Sequence, residues 1–404
     1  MREGWQIKKL GETVIVERGS SPRPIKNFLT TEADGVNWIK IGDTKNVGKY
    51  IYSTKQKITK KGAEKSRFVD VGDFILTNSM SYGKPYIMKT QGYIHDGWFV
   101  FRLPENINSD FFWYLLISPN LKDQFESLAA GAIVKNISGD LVKKALLPIP
   151  PLHEQKAIVK ILDEAFAKID QAKANFEKNI ENAKELFQSK LNEIFSHPLA
   201  GSGRDRGEGW EKVTLGEIGK VSMCKRILKK QTNTDSGIPF YKIGTFGKEA
   251  NAFITEEIYQ EFKNKYSFPK KGDVLISASG TIGRRVIYDG KPAYFQDSNI
   301  VWIDNNEEKV LNDYLYQFYG VCNWNPSKGA TISRLYNDDL RRIKISYPNK
   351  IKQVELIAIM ENLAKNKWSL LLILQKKIDN LDELKKSLLQ KAFSGELTKS
   401  EAIA

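Results

Sequence analysis

The chain contains few residues of the types that build disulfide frameworks or metal centres. Its 404 residues include 2 cysteines and 3 histidines. Cys224 and Cys322 are too few for a disulfide framework, so we expect a reducing, cytoplasmic environment. His95, His153 and His197 are far apart in sequence and have no cysteine neighbours. We therefore predict no metal site.

Long apolar runs are also missing. The richest, WSLLLIL at residues 368–374, is much shorter than the roughly 20 residues that a membrane-spanning helix needs. The first residues, MREGWQIKKLGE, contain no apolar run and do not resemble a signal peptide. The sequence therefore predicts a protein without a membrane partner.

Motifs that carry catalysis are absent as well. Asn325-Pro326-Ser327 is the nearest string to the Asn/Asp-Pro-Pro-aromatic loop of amino methyltransferases, and it departs from that pattern. GSGRDRG at residues 201–207 is not the dinucleotide-binding fingerprint, because no strand precedes it. Glu-x-Lys strings, as in nucleases, are scattered through this lysine-rich chain and are best explained by chance; they begin at Glu154, Glu261, Glu307 and Glu383. We predict no catalytic residue, no cofactor and a role other than that of an enzyme.

Positive charge is what the chain has in excess. It contains 62 lysines and arginines against 48 acidic residues, which gives a net charge of +14 and a pI of about 9.3. Such an excess is typical of proteins that bind a polyanion, most often nucleic acid. A surface that is merely lysine-rich is the alternative explanation.

The sequence also repeats itself. GWQIKKLGE at residues 4–12 returns as GWEKVTLGE at 209–217, and KELFQSKLNEIF at 184–195 returns as DELKKSLLQKAF at 382–393. VGDFILTNSMSYGK, which starts at Val71, returns as KGDVLISASGTIGR, which starts at Lys271. A period near 200 residues is too long for a solenoid. It indicates two similar domains, each followed by a similar helix.

Each half is predicted to be a mixed α/β domain. Short β-rich runs such as DFILTN, WFVFRL, DVLISAS and NIVWID alternate with turn residues. One short helix per half is predicted near residues 110–128 and 311–321.

Two long helices follow the domains. Their apolar positions recur mostly every three or four residues, which is typical of a coiled coil. We expect the two to pair antiparallel, so that the chain has an internal pseudo-two-fold repeat with a head at each end. The predicted segments are a first domain at residues 1–150, a first helix at 151–200, a linker at 201–208, a second domain at 209–348, and a second helix with a tail at 349–404.

These features together resemble the specificity subunits of type I restriction–modification systems. The shared motifs are the GW and LGE near each domain start, the KIG strand, the GD before a glycine-containing loop, the prolines before HEQ at residues 148–155, and SLLQKAFSGEL at 387–397. The second helix departs from the pattern, because it begins as SYPNKIKQVELI with fewer prolines.

The resemblance implies a DNA-reading adaptor without a catalytic site of its own. Each domain would be a target recognition domain for one half of a split sequence in double-stranded DNA. The helices would set the spacing and bind two modification subunits, which carry S-adenosylmethionine and the methylation chemistry, and ATP-dependent restriction subunits would join them. We expect the partner contacts at the two helix starts, at Gln155, Ile158, Leu162, Gln353, Leu356 and Met360.

Candidate DNA contacts lie in polar, glycine-containing loops. Bases are read by Arg, Lys, Asn, Gln and hydroxyl side chains, and glycine lets a backbone approach DNA closely. In the first domain the candidates are Arg18, Ser20, Ser21, Arg23, Lys26, Asn78, Ser81, Tyr82, Lys84, Lys135 and Asn136. In the second domain they are Lys225, Arg226, Ser279, Thr281, Arg284, Arg285, Ser333 and Arg334. The alternatives are a coiled-coil scaffold that never meets DNA, and a self-contained methyltransferase or nuclease fragment.

Overall fold

The computed structural model describes residues 4–45, 47–78, 84–129, 137–196, 209–325 and 334–398. It consists of two compact units. The first unit contains residues 1–176 and 375–404, and the second contains residues 177–374. Each unit therefore combines one mixed α/β domain with part of each long helix.

In its described residues, the first domain is built on three sheets. Its strands are β1 (Gln6–Lys9), β2 (Ile15–Arg18), β3 (Leu29–Thr30), β4 (Val36–Ile39), β5 (Tyr50–Ile51), β6 (Gln56–Ile58), β7 (Arg67–Val69), β8 (Phe74–Thr77), β9 (Pro85–Met88), β10 (Gly92–Ile94), β11 (Trp98–Arg102) and β12 (Leu146–Ile149). The sheet orders are β3-β6-β4-β10-β7, β2-β11-β8-β9-β5 and the pair β1-β12. Its helices are α1 (Leu10–Thr13), α2 (Lys60–Ala63), α3 (Ser109–Leu116), α4 (Pro119–Ala129) and α5 (Gly139–Val142), and the long helix α6 (Leu152–Ser196) follows.

Over the part of the chain that the structure describes, the second domain repeats this plan with fewer strands. Its strands are β13 (Glu211–Thr214), β14 (Gly219–Ser222), β15 (Ile238–Tyr241), β16 (Phe253–Ile254), β17 (Val274–Ser277), β18 (Arg285–Ile287), β19 (Tyr294–Phe295), β20 (Ile300–Asn305) and β21 (Lys344–Tyr347). They form the sheets β14-β20-β17-β18 and β16-β15-β19 and the pair β13-β21. Its helices are α7 (Leu215–Ile218), α8 (Glu256–Lys265), α9 (Asn312–Tyr319) and α10 (Asn337–Arg341), and the long helix α11 (Lys350–Ser394) follows.

Each domain is closed by pairing its first strand with its last. β1 and β12 are antiparallel with Gln6 opposite Ile149, and β13 and β21 are antiparallel with Glu211 opposite Tyr347. The repeated LGE string forms the short helix that follows, and Leu10 and its counterpart Leu215 are buried. The start motif shared by the two halves therefore has a structural role.

Within each unit the two long helices run antiparallel. In the first unit Lys173 pairs with Asp382 at 2.7 Å, and Asp170, one turn earlier, pairs with Lys385, one turn later. In the second unit the Lys367 ammonium lies 3.8 Å from the centre of the Phe187 ring.

Each domain core contains side chains from both long helices. In the first unit the core includes Ile158 of α6 and Phe393 of α11. In the second it includes Leu191 of α6 and Met360 of α11, with Phe195 packed against it. The repeated segments at 184–195 and 382–393 thus each supply side chains to one domain core, which explains why the helix end occurs twice. The mixed α/β fold with antiparallel long helices and an internal repeat is confirmed.

The prediction of one short helix per half was wrong, since the described residues of the first domain contain α1 to α5 and those of the second contain α7 to α10. The helix expected near residues 110–128 is two helices, because Pro119 is favoured at a first helical position and starts a new one there. Helix α8 was not predicted; the Thr255 hydroxyl caps it by accepting from the Ile258 backbone N–H. The predicted linker lies outside the described residues. Within the described ranges, no helix is both long and apolar enough to cross a membrane.

Candidate nucleic-acid interface

In the first domain, predicted DNA-binding residues contact one short loop between β10 and β11. We call this loop, residues 95–97, the first central loop. Its Asp96 carboxylate accepts a hydrogen bond from the Ser21 hydroxyl on Oδ1 at 2.7 Å. Its other oxygen, Oδ2, accepts from Arg23 Nη2 at 3.1 Å. The carboxylate therefore fixes two side chains of the loop that follows β2.

The main chain of Asp96 holds two more candidates. Its carbonyl oxygen accepts from Arg18 Nε at 3.2 Å and from Asn78 Nδ2 at 2.7 Å. Arg18 ends β2, and Asn78 follows β8. Residues from three separate segments of sequence are thus brought together at one point.

The equivalent loop of the second domain is also contacted by predicted residues. This second central loop, residues 296–299, joins β19 to β20. Arg226 Nε donates to Asp297 Oδ2 at 2.8 Å. Arg334 Nη2 donates to the carbonyl oxygen of Ser298 at 2.9 Å.

Ser279 completes the second central loop's contacts. Its hydroxyl donates to Asn299 Oδ1 at 2.7 Å, and Ser279 and Arg334 form an isolated antiparallel bridge. The two domains therefore place arginine and hydroxyl side chains around loops at matching positions of the fold.

Charge at the first central loop is set by its hydrogen bonds. The Ser21 hydroxyl, together with the loop's backbone and the Arg23 guanidinium, lowers the pKa of Asp96 below its usual value. Asp96 is therefore a carboxylate at neutral pH and can orient the Arg23 guanidinium.

His95 is held neutral in the same loop. Burial lowers the pKa of His95, while Asp96 and Asp43 partly oppose that effect. The Gly97 N–H donates to His95 Nδ1 at 2.8 Å, so this nitrogen serves as an acceptor. Gln296 has the equivalent position in the second domain.

We expect His95 to make folding stability depend on pH. Because the folded-state pKa lies below the ordinary value of 6.5, the unfolded chain binds a proton first as pH falls. The stability that His95 contributes is present above pH 6.5 and is lost as pH decreases toward the folded-state pKa. His95→Gln should retain the fold and reduce this loss in urea unfolding at pH 5.5, 6.5 and 7.5. His153→Gln, at an exposed site, is the control, and equal pH profiles for wild type and His95→Gln would contradict the assignment.

An open pocket with a volume of about 570 Å³ lies beside the first central loop. Its polar lining includes Ser21, Arg23 and Lys26, and Trp38 forms part of its apolar lining. Lys26 therefore lies in the same pocket as Ser21 and Arg23, which contact the first central loop. Ser20 joins them through its backbone, because its N–H donates to the Ile94 carbonyl at 3.2 Å.

Other predicted residues are engaged elsewhere in their domains. Lys84 Nζ donates to the Val47 carbonyl oxygen at 3.2 Å. Arg284 Nη1 donates to the Phe246 carbonyl oxygen at 2.9 Å.

Three further candidates of the second domain make local contacts. The Arg285 guanidinium stacks 4.3 Å from the centre of the Tyr316 ring. The Lys225 ammonium lies 5.2 Å from the centre of the Tyr266 ring. The carbonyl oxygen of Thr281 accepts from the Ser277 hydroxyl. The remaining candidates fall outside the described residues; they are Ser81, Tyr82, Lys135, Asn136 and Ser333.

The residues predicted to bind partner subunits are buried inside the chain itself. Gln155 accepts from the Asn108 N–H and donates to the carbonyls of Asn106 and Pro150. Gln353 makes the same set of bonds, with the Leu311 N–H and the carbonyls of Lys309 and Pro348. The other four are core residues, namely Ile158, Leu162, Leu356 and Met360. In this conformation these six side chains anchor the helix starts to the domains and present no surface to a partner.

Asp96 and Asp297 were missed by sequence reasoning. A sequence signal for both exists, since HDG and QDS follow matching strands of the repeat. Within the described ranges, no group of three or more His, Cys, Asp or Glu side chains could hold a metal ion.

Residues 2–182 and 207–380 match the family described as the type I restriction modification DNA specificity domain. A Haemophilus influenzae protein assigned as a type I restriction enzyme specificity subunit is 44% identical over 257 residues, which is 64% of this chain and 64% of that relative's length. The StySPI specificity subunit of Salmonella potsdam is 25% identical over 438 residues, covering 98% of this chain and 90% of that one.

Solved structures agree on the fold. A chain from work on complex assembly and conformational transition of the type I restriction–modification system superposes with a TM-score of 0.75 at 21% identity, covering 98% of this chain and 99% of that one. The HsdS subunit from Thermoanaerobacter tengcongensis superposes with a TM-score of 0.60 at 20% identity, covering 98% of both chains. Two family matches, one in each repeat, cover most of the sequence, and the chain belongs to the specificity subunits of type I restriction–modification systems, with two target recognition domains.

Proposed function

We propose that this chain reads a bipartite sequence in double-stranded DNA, with one half-site for each domain. The observation that carries the proposal is the repeated arrangement around the two central loops. In the first domain, Arg23 of the loop after β2 forms an ion pair with Asp96 of the central loop. In the second domain, Arg226 of the loop after β14 forms the equivalent ion pair with Asp297. Two equivalent sites in one chain are suited to two half-sites.

The chemistry of these sites is suited to a DNA duplex. Arginine and hydroxyl groups are the side chains that hydrogen-bond to base edges and phosphates. The net charge of +14 adds the sequence-independent attraction to phosphates. A scaffold that never meets DNA would account for the long helices but not for the arginines at both central loops.

We further propose that the long helices dock two modification subunits, which restriction subunits join, and that this chain does no chemistry itself. Support for docking comes from apolar side chains that α11 exposes. Trp368 and Leu372 are exposed and lie four residues apart, on one face of the helix. Exposed tryptophan beside leucine is the kind of anchor that protein interfaces bury.

DNA binding by the purified chain tests the proposal. We expect its affinity for duplex DNA to fall linearly, on logarithmic axes, with salt concentration between 50 and 200 mM, because phosphate contacts release counterions. Incubation of the chain alone with labelled S-adenosylmethionine and DNA should transfer no methyl group. An affinity that does not change with salt, or robust methyl transfer by the chain alone, would contradict the proposed function.

A further inference from the structure

The two Arg–Asp pairs occupy equivalent positions in the two domains. Asp96 lies two residues after the end of β10, and Asp297 lies two residues after the end of β19. Both strands are paired in parallel with the equivalent neighbours, β4 and β15. The arginines also match, since Arg23 begins RPIK and Arg226 begins RILK.

The geometry of each pair presents the arginine to solvent. The Arg23 side chain is 81% exposed and its Asp96 partner 43%. The Arg226 side chain is 67% exposed and its Asp297 partner 17%. In each pair the carboxylate is thus the less exposed partner. Arg226 uses Nε for this contact, which leaves its two terminal nitrogens outside the ion pair.

Stability does not explain why both domains have this pair. An ion pair whose arginine is mostly exposed contributes little to folding, because water and salt screen it. A carboxylate does, however, fix the plane of a guanidinium, whose fork of donors can then bind two acceptors at once. In the major groove, the O6 and N7 atoms of guanine form such a pair of acceptors, and arginine is their commonest partner.

We propose that Asp96 and Asp297 are positioning residues that orient Arg23 and Arg226, and that each arginine reads one guanine in the half-site of its domain. This inference rests on the proposed function, because it assigns the base that each domain recognises through its central loop. A phosphate contact would carry no sequence information, and its loss would weaken binding to every sequence alike.

The test is a mapping of sequence preference for the full chain assembled with its modification subunits. Randomised duplexes are selected with wild type, Asp96→Asn and Asp297→Asn. Asparagine keeps the shape of the side chain and can still accept from Ser21, but it removes the charge that holds the arginine. We expect Asp96→Asn to relax one guanine of one half-site and Asp297→Asn to relax one guanine of the other. The loss of discrimination should be roughly 5- to 150-fold at that position, with the other positions unchanged.

Arg23→Lys and Arg226→Lys provide a second set of variants. Lysine keeps the charge and lacks the fork, so each should relax the same guanine as the aspartate variant of its domain. These lysine variants also test whether each arginine reads a guanine if an aspartate variant fails to fold. Asp34→Asn and Asp289→Asn, which remove exposed ion pairs with Lys60 and Lys291, are matched controls and should leave the preference unchanged.

Three results would overturn the inference while leaving the proposed function intact. They are an unchanged preference in the variants, an equal loss for all sequences, and a change at several positions of one half-site. Failure of the proposed function is distinguishable, because the wild-type complex would then select no bipartite sequence.

Discussion

Replacing residues 210–348 by the matching segment of another type I specificity subunit is expected to change one half of the recognised DNA sequence completely and to leave the other half unchanged. The reason is that the second domain has its own sheets, core and central loop. The arginines and hydroxyls proposed to read its half-site all belong to the exchanged segment.

The structure determines where the junctions should lie. The second junction must follow Tyr347, because β21 pairs with β13 and a cut within β21 would combine strands from two proteins. The incoming domain must also receive Phe195 and Met360 of the retained helices, which pack on its core. In the reciprocal exchange, residues 5–150 of the first domain are replaced by the matching segment of the other subunit.

The measurement is a mapping of the methylated DNA motif in cells that carry each hybrid. We expect the two exchanges to alter opposite halves of the motif. A hybrid that changed both halves, or neither half, while still supporting methylation would refute the assignment of one half-site to each domain.

Removing either buried glutamine at a helix start is expected to destabilise its own unit by about 3–5 kcal/mol. Each variant leaves one N–H and two carbonyl groups, which are buried or half-buried at these bonds, without their partner, and an unpaired buried group costs about 1–3 kcal/mol. Gln155 and Gln353 are 1% and 0% exposed, and each bonds one N–H and two carbonyl groups. Gln155→Ala should affect the first unit and Gln353→Ala the second.

Urea unfolding combined with hydrogen exchange can separate these effects. Gln188→Ala and Gln375→Ala remove exposed glutamines from the same two helices, each bonded only to the residue one turn later among the described contacts. These controls should change the free energy of unfolding by less than about 0.5 kcal/mol. The internal role assigned to the buried pair would be refuted if their variants matched the controls.

The long helices and the internal repeat were predictable because they depend on local pattern. Spacing of three and four residues indicates a paired helix without knowledge of the rest of the fold. The run DFILTN contains the strand Phe74–Thr77, and NIVWID covers all but the last residue of the strand Ile300–Asn305. The sequence analysis does not predict helix α8, although Thr255 is a recognisable cap, and the matching region of the first domain contains only the short helix Lys60–Ala63.

Contacts between distant residues could not be predicted in the same way. Asp96 and Arg23 are 73 positions apart, and no periodicity links them. The sequence predicts a partner contact for Gln155, whereas its burial depends on the approach of Asn108, 47 positions away. For both residues, the fold of the whole domain sets the environment of the side chain.

Mapping of methylated adenines in a host that carries this chain with the modification subunit of its own system tests the central claim most directly. The account predicts one bipartite motif, with two specified parts separated by unspecified bases, which disappears when the chain is omitted. A single uninterrupted motif, or the same motif without the chain, would contradict it.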